Sequence, residues 1–377
     1  VNTERSCGPG PGSGAGRNEG LQRADRYPIV DPGGVTFVYE GEADEVRLRL
    51  WIHGLPTSQP FERLDDGSTW VLRIELPENS RIEYKFEVVR DGQEEWIVDP
   101  KNPLLATDPF GANSVCQGYG YVRPEWTDHS QDARPGTLDE LSVASTAFGE
   151  TRHVALYVPA RFRRSRRYPL LVVHDGLDYL RYASLQTVLD NLIHRREIPP
   201  MIVALTQSPD RLKEYAGDEA HGRFIARELP MLLEHTLPLL GSPAARGLMG
   251  ASFGAVATLH AAWRHPGCFD RLVLQSGSFA FSDIGHHRRE AVFDPVADFV
   301  NDFRRNPGPA TARMYVSCGI YESLIYENRS LVPLLRNHRI AVRYEEVRDG
   351  HNWENWRDRL QSALTWLFPG PLWLTYE

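Results

Sequence analysis

The hydrophobic rhythm of this chain changes near residue 140, and that change limits the possible folds more than any single motif does. Residues 25–122 hold short runs that alternate apolar and polar side chains, as in "GVTFVYEG", "EVRLRLWIHG", "TWVLRIELPENS" and "RIEYKFEVVRDG", separated by Gly, Pro, Asn and Asp. Period-two alternation places one face of each strand in a core, so this stretch predicts an all-β sandwich. Residues 123–140, "RPEWTDHSQDARPGTLDE", are polar, hold two prolines and lack periodicity, which suits a linker. From 141 to 377, runs apolar on both faces ("PLLVVHDG", "MIVAL", "RLVLQSG", "RMYVSCG") alternate with helical stretches at 184–196, 221–240, 253–264, 327–338 and 353–367. That alternation predicts a mostly parallel sheet covered by helices, with the second helix kinked or restarted at Pro230.

Composition narrows the function. With 42 Lys and Arg against 50 Asp and Glu, the formal charge of −8 argues against nucleic acid as a partner. No apolar run reaches the roughly 18 residues of a spanning helix, so no membrane role is expected. Cys7, Cys116, Cys268 and Cys318 are scattered, without metal-type or disulfide-type spacing; Cys268 and Cys318 sit in apolar surroundings and read as buried thiols. This favours a reducing compartment, the cytoplasm, although a removed leader would leave no trace. Residues 1–24, dominated by Gly, Pro and Ser, read as a flexible tail. Neither HExxH nor a compact set of His and carboxylates occurs, so no metal or cofactor is expected. The expected partner is a small-molecule ester; the oligomeric state is not legible.

That ester follows from "LMGASFGAVATLHAAW". Gly250-Ala251-Ser252-Phe253-Gly254 joins an apolar run to a helical stretch, the strand, sharp turn and helix that a nucleophile elbow requires. The serine sits in strained backbone, so the residues two before and two after must be glycine or nearly so. The pattern alone is also compatible with close packing of a strand on a helix. Its partners argue for chemistry. In α/β-hydrolases the order is Ser, acid, His, and Glu322 and His351 each follow the end of a strand-like run ("ARMYVSCGIYES", "VRYEEVRDGHNW"). Alternatives for the acid are Glu327 and Asp349, and for the base His174. Ser252 then attacks an ester carbonyl, His351 takes its proton, and Glu322 orients the imidazole. The oxyanion donors expected are the N–H of Phe253 and that of Gly176 or Leu177 after "LLVVHDGL".

The motifs "VVHDGLDY", "RLKEYAGDEAHGRFIARELPMLLE", "GASFGAVATLHAAWRHPGCFDRLVLQSGSF", "CGIYESLIYENRSLVPLL" and "DGHNWENWRDRL" together resemble, in order and spacing, the enterochelin-esterase-like branch of serine esterases, related to feruloyl and acetyl xylan esterases. The resemblance runs from about Ser142 to Leu367 and implies Ser252, Glu322 and His351 as the triad of an α/β-hydrolase. "IEYKFEVVRDGQEEWIVDPKNPLLATDPFGANSV" is similar to immunoglobulin-like early-set sandwiches, including glycogen-binding modules, with Trp70 and Trp96 as candidates for sugar stacking. One departure is Gly254-Ala255 where the family carries Gly-Gly. The family's substrates are anionic trilactone siderophores, which implies cationic binding residues. Arg211, Arg288 and Arg289 are candidates, with Trp353 flanking the site; Arg211 alternatively pairs with Glu214. The implied activity is cleavage of a catecholate siderophore to release iron. Alternatives are a feruloyl or acetyl xylan esterase with a sugar-holding β domain, and a non-catalytic binding protein on a hydrolase fold.

Overall fold

The computed structural model describes residues 27–282, 289–309 and 312–370. The segment read as a tail, 1–24, lies outside the described residues, as do His286, His287 and Arg288.

The N-terminal part holds β1 (Ile29–Asp31), β2 (Gly34–Glu40), β3 (Glu45–Leu50), β4 (Ser58–Pro60), β5 (Glu62–Arg63), β6 (Thr69–Ile74), β7 (Arg81–Arg90), β8 (Gln93–Ile97), β9 (Leu105–Asp108) and β10 (Gly111–Gln117). They form two antiparallel sheets, in the orders β1-β2-β6-β5 and β4-β3-β7-β10-β9, with β8 paired to β7. Both sheets feed one core. Val35 and Phe37 of β2, Val46, Leu48 and Leu50 of β3, and Ile82, Tyr84, Phe86 and Val88 of β7 are buried in it. These are every second residue of their strands, so the alternation in the sequence is what puts them on one face. Strands β9 and β10 escape that reading because "LATD" and "GANSVCQ" are short, small and polar.

A third sheet carries β11 (Thr137–Ser145), β12 (Glu150–Val158), β13 (Leu170–Val173), β14 (Ile202–Thr206), β15 (Arg246–Ala251), β16 (Arg271–Gln275), β17 (Arg313–Gly319) and β18 (Ala341–Val347). Its order is β11-β12-β14-β13-β15-β16-β17-β18. β11 and β12 are antiparallel additions, and every pair from β14 to β18 runs parallel. β11 begins at Thr137, inside the segment read as linker. As an edge strand it exposes most of its residues, so its sequence carries little apolar signal.

The helices are α1 (Gly176–Tyr182), α2 (Leu185–His194), α3 (Arg211–Glu214), α4 (Glu219–Arg223), α5 (Leu229–Thr236), α6 (Phe253–Arg264), α7 (Asp294–Arg305), α8 (Ile325–Asn337), α9 (Trp353–Asp358) and α10 (Leu360–Leu367). One face of the sheet is covered by α6, α7 and α8 through Val256, Leu259, Phe299, Val300, Leu331 and Leu335; the other by α1, α2 and α10 through Tyr179, Leu189, Leu192, Leu360 and Leu364. The stretch 221–240 is interrupted just ahead of Pro230: a π-helical turn, Phe224–Glu228, separates α4 from α5. A proline has no N–H to continue the ladder and crowds the carbonyl four residues back, and a widened turn absorbs both. Helices α1, α3 and α7 were not marked in the sequence.

The two parts are joined at the C-terminal edge of the parallel strands. The N–H of Arg81 donates to Arg348 O at 2.9 Å, and the N–H of His53 to Tyr321 O at 2.6 Å. Ser80 Oγ lies 2.5 Å from Tyr321 Oη in a buried bond. No helix among the described residues is long and apolar enough to cross a membrane.

Candidate active site

Strand β15 ends at Ala251 and α6 begins at Phe253, so one residue makes the whole turn. That residue, Ser252, has φ 57° and ψ −122°, a conformation L residues rarely adopt. The space around it explains the flanking glycines. A Cβ on Gly250 would stand 2.3 Å from Gly254 O, and one on Gly254 would stand 3.3 Å from both His174 Cβ and Asp175 Oδ2. The serine's N–H donates to Gln275 O at 2.9 Å, fixing the turn to β16. Its hydroxyl is 3.2 Å from Ser278 Oγ. Ala255, which replaces the family's second glycine, is fully buried in the first turn of α6.

Glu322 and His351 meet: Nδ1 of the ring lies 2.6 Å from Oε2 of the carboxylate. The other carboxylate oxygen accepts from Ser276 Oγ at 2.6 Å and from the Gly319 N–H at 2.7 Å. Burial opposes the charge on Glu322, but His351, the Ser276 hydroxyl and the Gly319 amide outweigh it and hold the carboxyl below its ordinary range. Trp356 backs the arrangement twice. Its ring meets the imidazole edge to face at 5.1 Å, and its indole N–H donates to Ser276 Oγ at 2.9 Å.

The other acids and bases are engaged elsewhere. Glu327 binds Arg289, and Asp349 accepts from Arg81, Asn352 and the Gly350 amide. His174 is buried, its Nδ1 3.1 Å from Thr258 Oγ1 and its Nε2 3.0 Å from His221 Nε2. Arg211 does not pair with Glu214: its Nε donates to Asp175 Oδ2 at 2.8 Å, while Glu214 binds Arg152. An arginine following β14 and an aspartate following β13 emerge at the same sheet edge, which puts these two closer than their spacing suggests.

Ser252, Phe253, Arg211, Arg289, Glu322, His351 and Trp353 line one cleft of about 1220 Å³. Its opposite wall comes from the N-terminal β region: Trp51, His53, Leu55, Lys85, Trp96 and Phe110. Charges of both signs face it: Lys85, Arg211 and Arg289 supply the cationic side chains expected, and Glu83, Asp108 and Asp178 stand among them. Phe253 opens α6 and Gly176 and Leu177 open α1, so their N–H groups have no acceptor within their own helices. Gly176 also answers a packing demand, since a Cβ there would stand 2.5 Å from Leu205 Cα. Trp70 is buried in the β core, so it presents no ring to a sugar; Trp96 faces the cleft with the Arg49 guanidinium 4.4 Å over its ring.

Sequence reasoning missed Ser276 and Ser278, although both follow directly on the β16 run "RLVLQ", the position at which polar residues of such a sheet reach a site. It also missed Arg81, Tyr321 and the β-domain wall, none of which any local pattern marks. The arrangement as a whole places a hydroxyl at a helix N-terminus in the same cleft as an imidazole whose Nδ1 is held by a carboxylate. Its other nitrogen is left for proton transfer, which suits acyl transfer. Among the described residues no group of three or more His, Cys, Asp or Glu side chains is arranged to hold a metal.

Comparison with known proteins agrees with this chemistry. A family model described as "Putative esterase" matches residues 145–367. The Iron(III) enterobactin esterase of Escherichia coli (strain K12) is 25% identical over 353 residues, covering 84% of this chain and 85% of that protein. The uncharacterized protein YjcH of Bacillus subtilis (strain 168) is 25% identical over 236 residues, 61% of this chain and 96% of that one. Among solved structures, the ferric enterobactin esterase from Salmonella typhimurium shares the fold at a TM-score of 0.76 and 18% identity, over 93% of this chain and 98% of that one. A ferulic acid esterase shares it at 0.55 and 17% identity over 62% of this chain. The family match spans more than half of the sequence, and this chain belongs to the Esterase family, as a carboxylic-ester hydrolase.

Proposed function

We propose that this protein is a serine esterase that opens a large aryl-acylated lactone of the catecholate siderophore class and so frees the iron it carries. Ser252 is the nucleophile, His351 the general base and Glu322 the orienting acid. The tetrahedral oxyanion takes hydrogen bonds from the N–H of Phe253 and from that of Gly176 or Leu177. Arg211 and Arg289 offer cations to an anionic substrate, with Trp353 beside the reacting ester; Arg288 lies outside the described residues.

The observation that carries this reading is the cleft. At about 1220 Å³ it is above the usual range of roughly 300–1,000 Å³ for small-ligand sites, and aromatic groups face it from both domains. An acetyl group would leave most of it empty, whereas several linked aryl arms match its size and lining. The similarity to iron(III) enterobactin esterases, which extends over the β domain, supports the same choice. The ferulic acid esterase likeness covers less of this chain. The β domain is read as an early-set, immunoglobulin-like sandwich that walls the cleft rather than as a glycan module.

Incubating the purified protein with enterobactin and, separately, with methyl ferulate tests the reading. Cleavage of the lactone to 2,3-dihydroxybenzoylserine units is expected to exceed ferulate release; robust ferulate release with an intact lactone sinks it. Ser252→Ala is expected to lower kcat by on the order of 10⁴-fold or more while the protein stays folded. Turnover equal to wild type in that variant would remove Ser252 from the mechanism.

A further inference from the structure

Arg81 opens β7 in the β domain, yet its side chain is completely buried against the hydrolase domain. Its Nη1 is 3.0 Å from Asn352 Oδ1 and 3.3 Å from Asp349 Oδ1, and its Nη2 is 2.9 Å from Glu83 Oε1 and 2.5 Å from Glu354 Oε2. Three of these four partners flank His351 in sequence, and the fourth, Glu83, lies on Arg81's own strand. Asp349 Oδ1 in turn accepts from the Gly350 N–H at 2.7 Å and from Asn352 Nδ2 at 2.8 Å. Asn352 Oδ1 also accepts from the Asn355 N–H at 2.8 Å, capping α9. The turn that presents the imidazole is therefore closed around a guanidinium from the other domain. The acid is supported from the same side. Tyr321, immediately before Glu322, is gripped by Ser80 through its hydroxyl and by the His53 N–H through its carbonyl.

We infer that Arg81 is a positioning residue for catalysis: its fork fixes the Asp349–Asn352 turn, and through it the direction in which His351 presents its free nitrogen to Ser252. A planar guanidinium suits this task because it bonds several acceptors in fixed directions at once, which an ammonium cannot do. The β domain then contributes to kcat as well as to substrate binding. The inference rests on the reading of His351 as the base.

The test uses the full chain and 4-nitrophenyl acetate, an ester too small to need the β-domain wall. Kinetics are measured for Arg81→Lys, Arg81→Met and the double variant Arg81→Met/Asp349→Asn, with active sites counted by a fluorophosphonate label on Ser252. The double variant also neutralises Asp349, the most deeply buried of the three carboxylates that Arg81→Met deprives of the guanidinium, so it keeps the experiment informative if the single variant does not fold. Misplacing a base by a fraction of an ångström to an ångström costs up to about 10²-fold. The expected result is a kcat per labelled site lowered about 10–100-fold in both Met variants, with KM within about threefold and partial recovery in Arg81→Lys. A lower melting temperature with kcat per labelled site equal to wild type, in Arg81→Lys and the double variant, overturns the inference. His351→Ala, run alongside, separates the two readings: if it retains activity, the assignment of the base has failed; if it is inactive while the Arg81 variants equal wild type, only the positioning role has.

Discussion

Ser252 holds a backbone conformation that only its neighbours' lack of side chains permits, and this makes Gly250 as informative as the serine. A methyl at Gly250 has to displace the Gly254 carbonyl, 2.3 Å from where it would sit, and that carbonyl belongs to the first turn of α6. Gly250→Ala is therefore expected to destabilise the protein by about 1–3 kcal/mol and to lower kcat, because the elbow opens. Calorimetry and ester hydrolysis check this together. At Glu322 the expected loss is electrostatic. Glu322→Gln keeps the shape but gives Nδ1 no anion to face, and kcat should fall by about 10²–10⁴-fold with little change in KM. The sharp turn at Ser252 and the meeting of Glu322 with His351 were legible because each residue sits in a short local pattern, a strand followed by a turn. Ser276 was not, because its role comes from partners 46 and 80 residues away that only the sheet brings to it.

At the scale of elements, a layer of buried histidines lies beneath α4 and α6 and ties the protein's stability to pH. His174 is kept neutral by burial and then by His221 beside it, and burial pushes His260 down to about 4, with Glu219 offsetting a little. Both folded-state values lie below the ordinary histidine value of about 6.5, so the unfolded chain takes up protons first. Stability contributed by these groups is present above that value and is lost as pH falls below it, for His260 through about 4. Glu214 extends the loss: burial opposes its charge, but the His221 ring beside it and hydrogen bonds from Arg152 and Ser208 hold it down to about 2, so its share goes between about 4.5 and 2. Denaturant unfolding at pH 7.5, 5.5 and 4.5 should show the decline. In His260→Asn the decline over that range is expected to be smaller by on the order of 2 kcal/mol, even if the variant is less stable at pH 7.5. An identical slope in the two proteins would remove His260 from the account. None of this was legible beforehand, since a histidine in a sequence does not reveal whether it faces Thr258 or solvent.

The whole molecule adds what neither half holds alone, a cleft with Ser252, Glu322 and His351 on one side and a wall from the N-terminal sheets on the other. The switch from antiparallel strands to a mostly parallel, helix-covered sheet was legible from the change of hydrophobic period near residue 140; the wall was not, because which residues of the N-terminal sheets face Ser252 depends on how the sheets dock. Phe110 shows this best. It sits in the turn between β9 and β10, strands too polar to announce themselves, and is 94% exposed while lining the cleft. Trp51 and Trp96 line the same wall at about half exposure, 48% and 47%. Large apolar rings left open in the cleft that holds Ser252 have a use when a ligand covers them, and each ring pair formed is worth about 0.5–1.5 kcal/mol beyond the area it buries. Phe110→Ala and Trp51→Ala should therefore each raise KM for the aryl lactone by about three- to tenfold. The same variants should leave kcat/KM for 4-nitrophenyl acetate within about twofold of wild type, since a substrate of that size reaches Ser252 without touching the far wall. Equal losses on both esters would mean that the rings support the fold rather than the substrate, and no loss on either would leave the wall without a part in recognition.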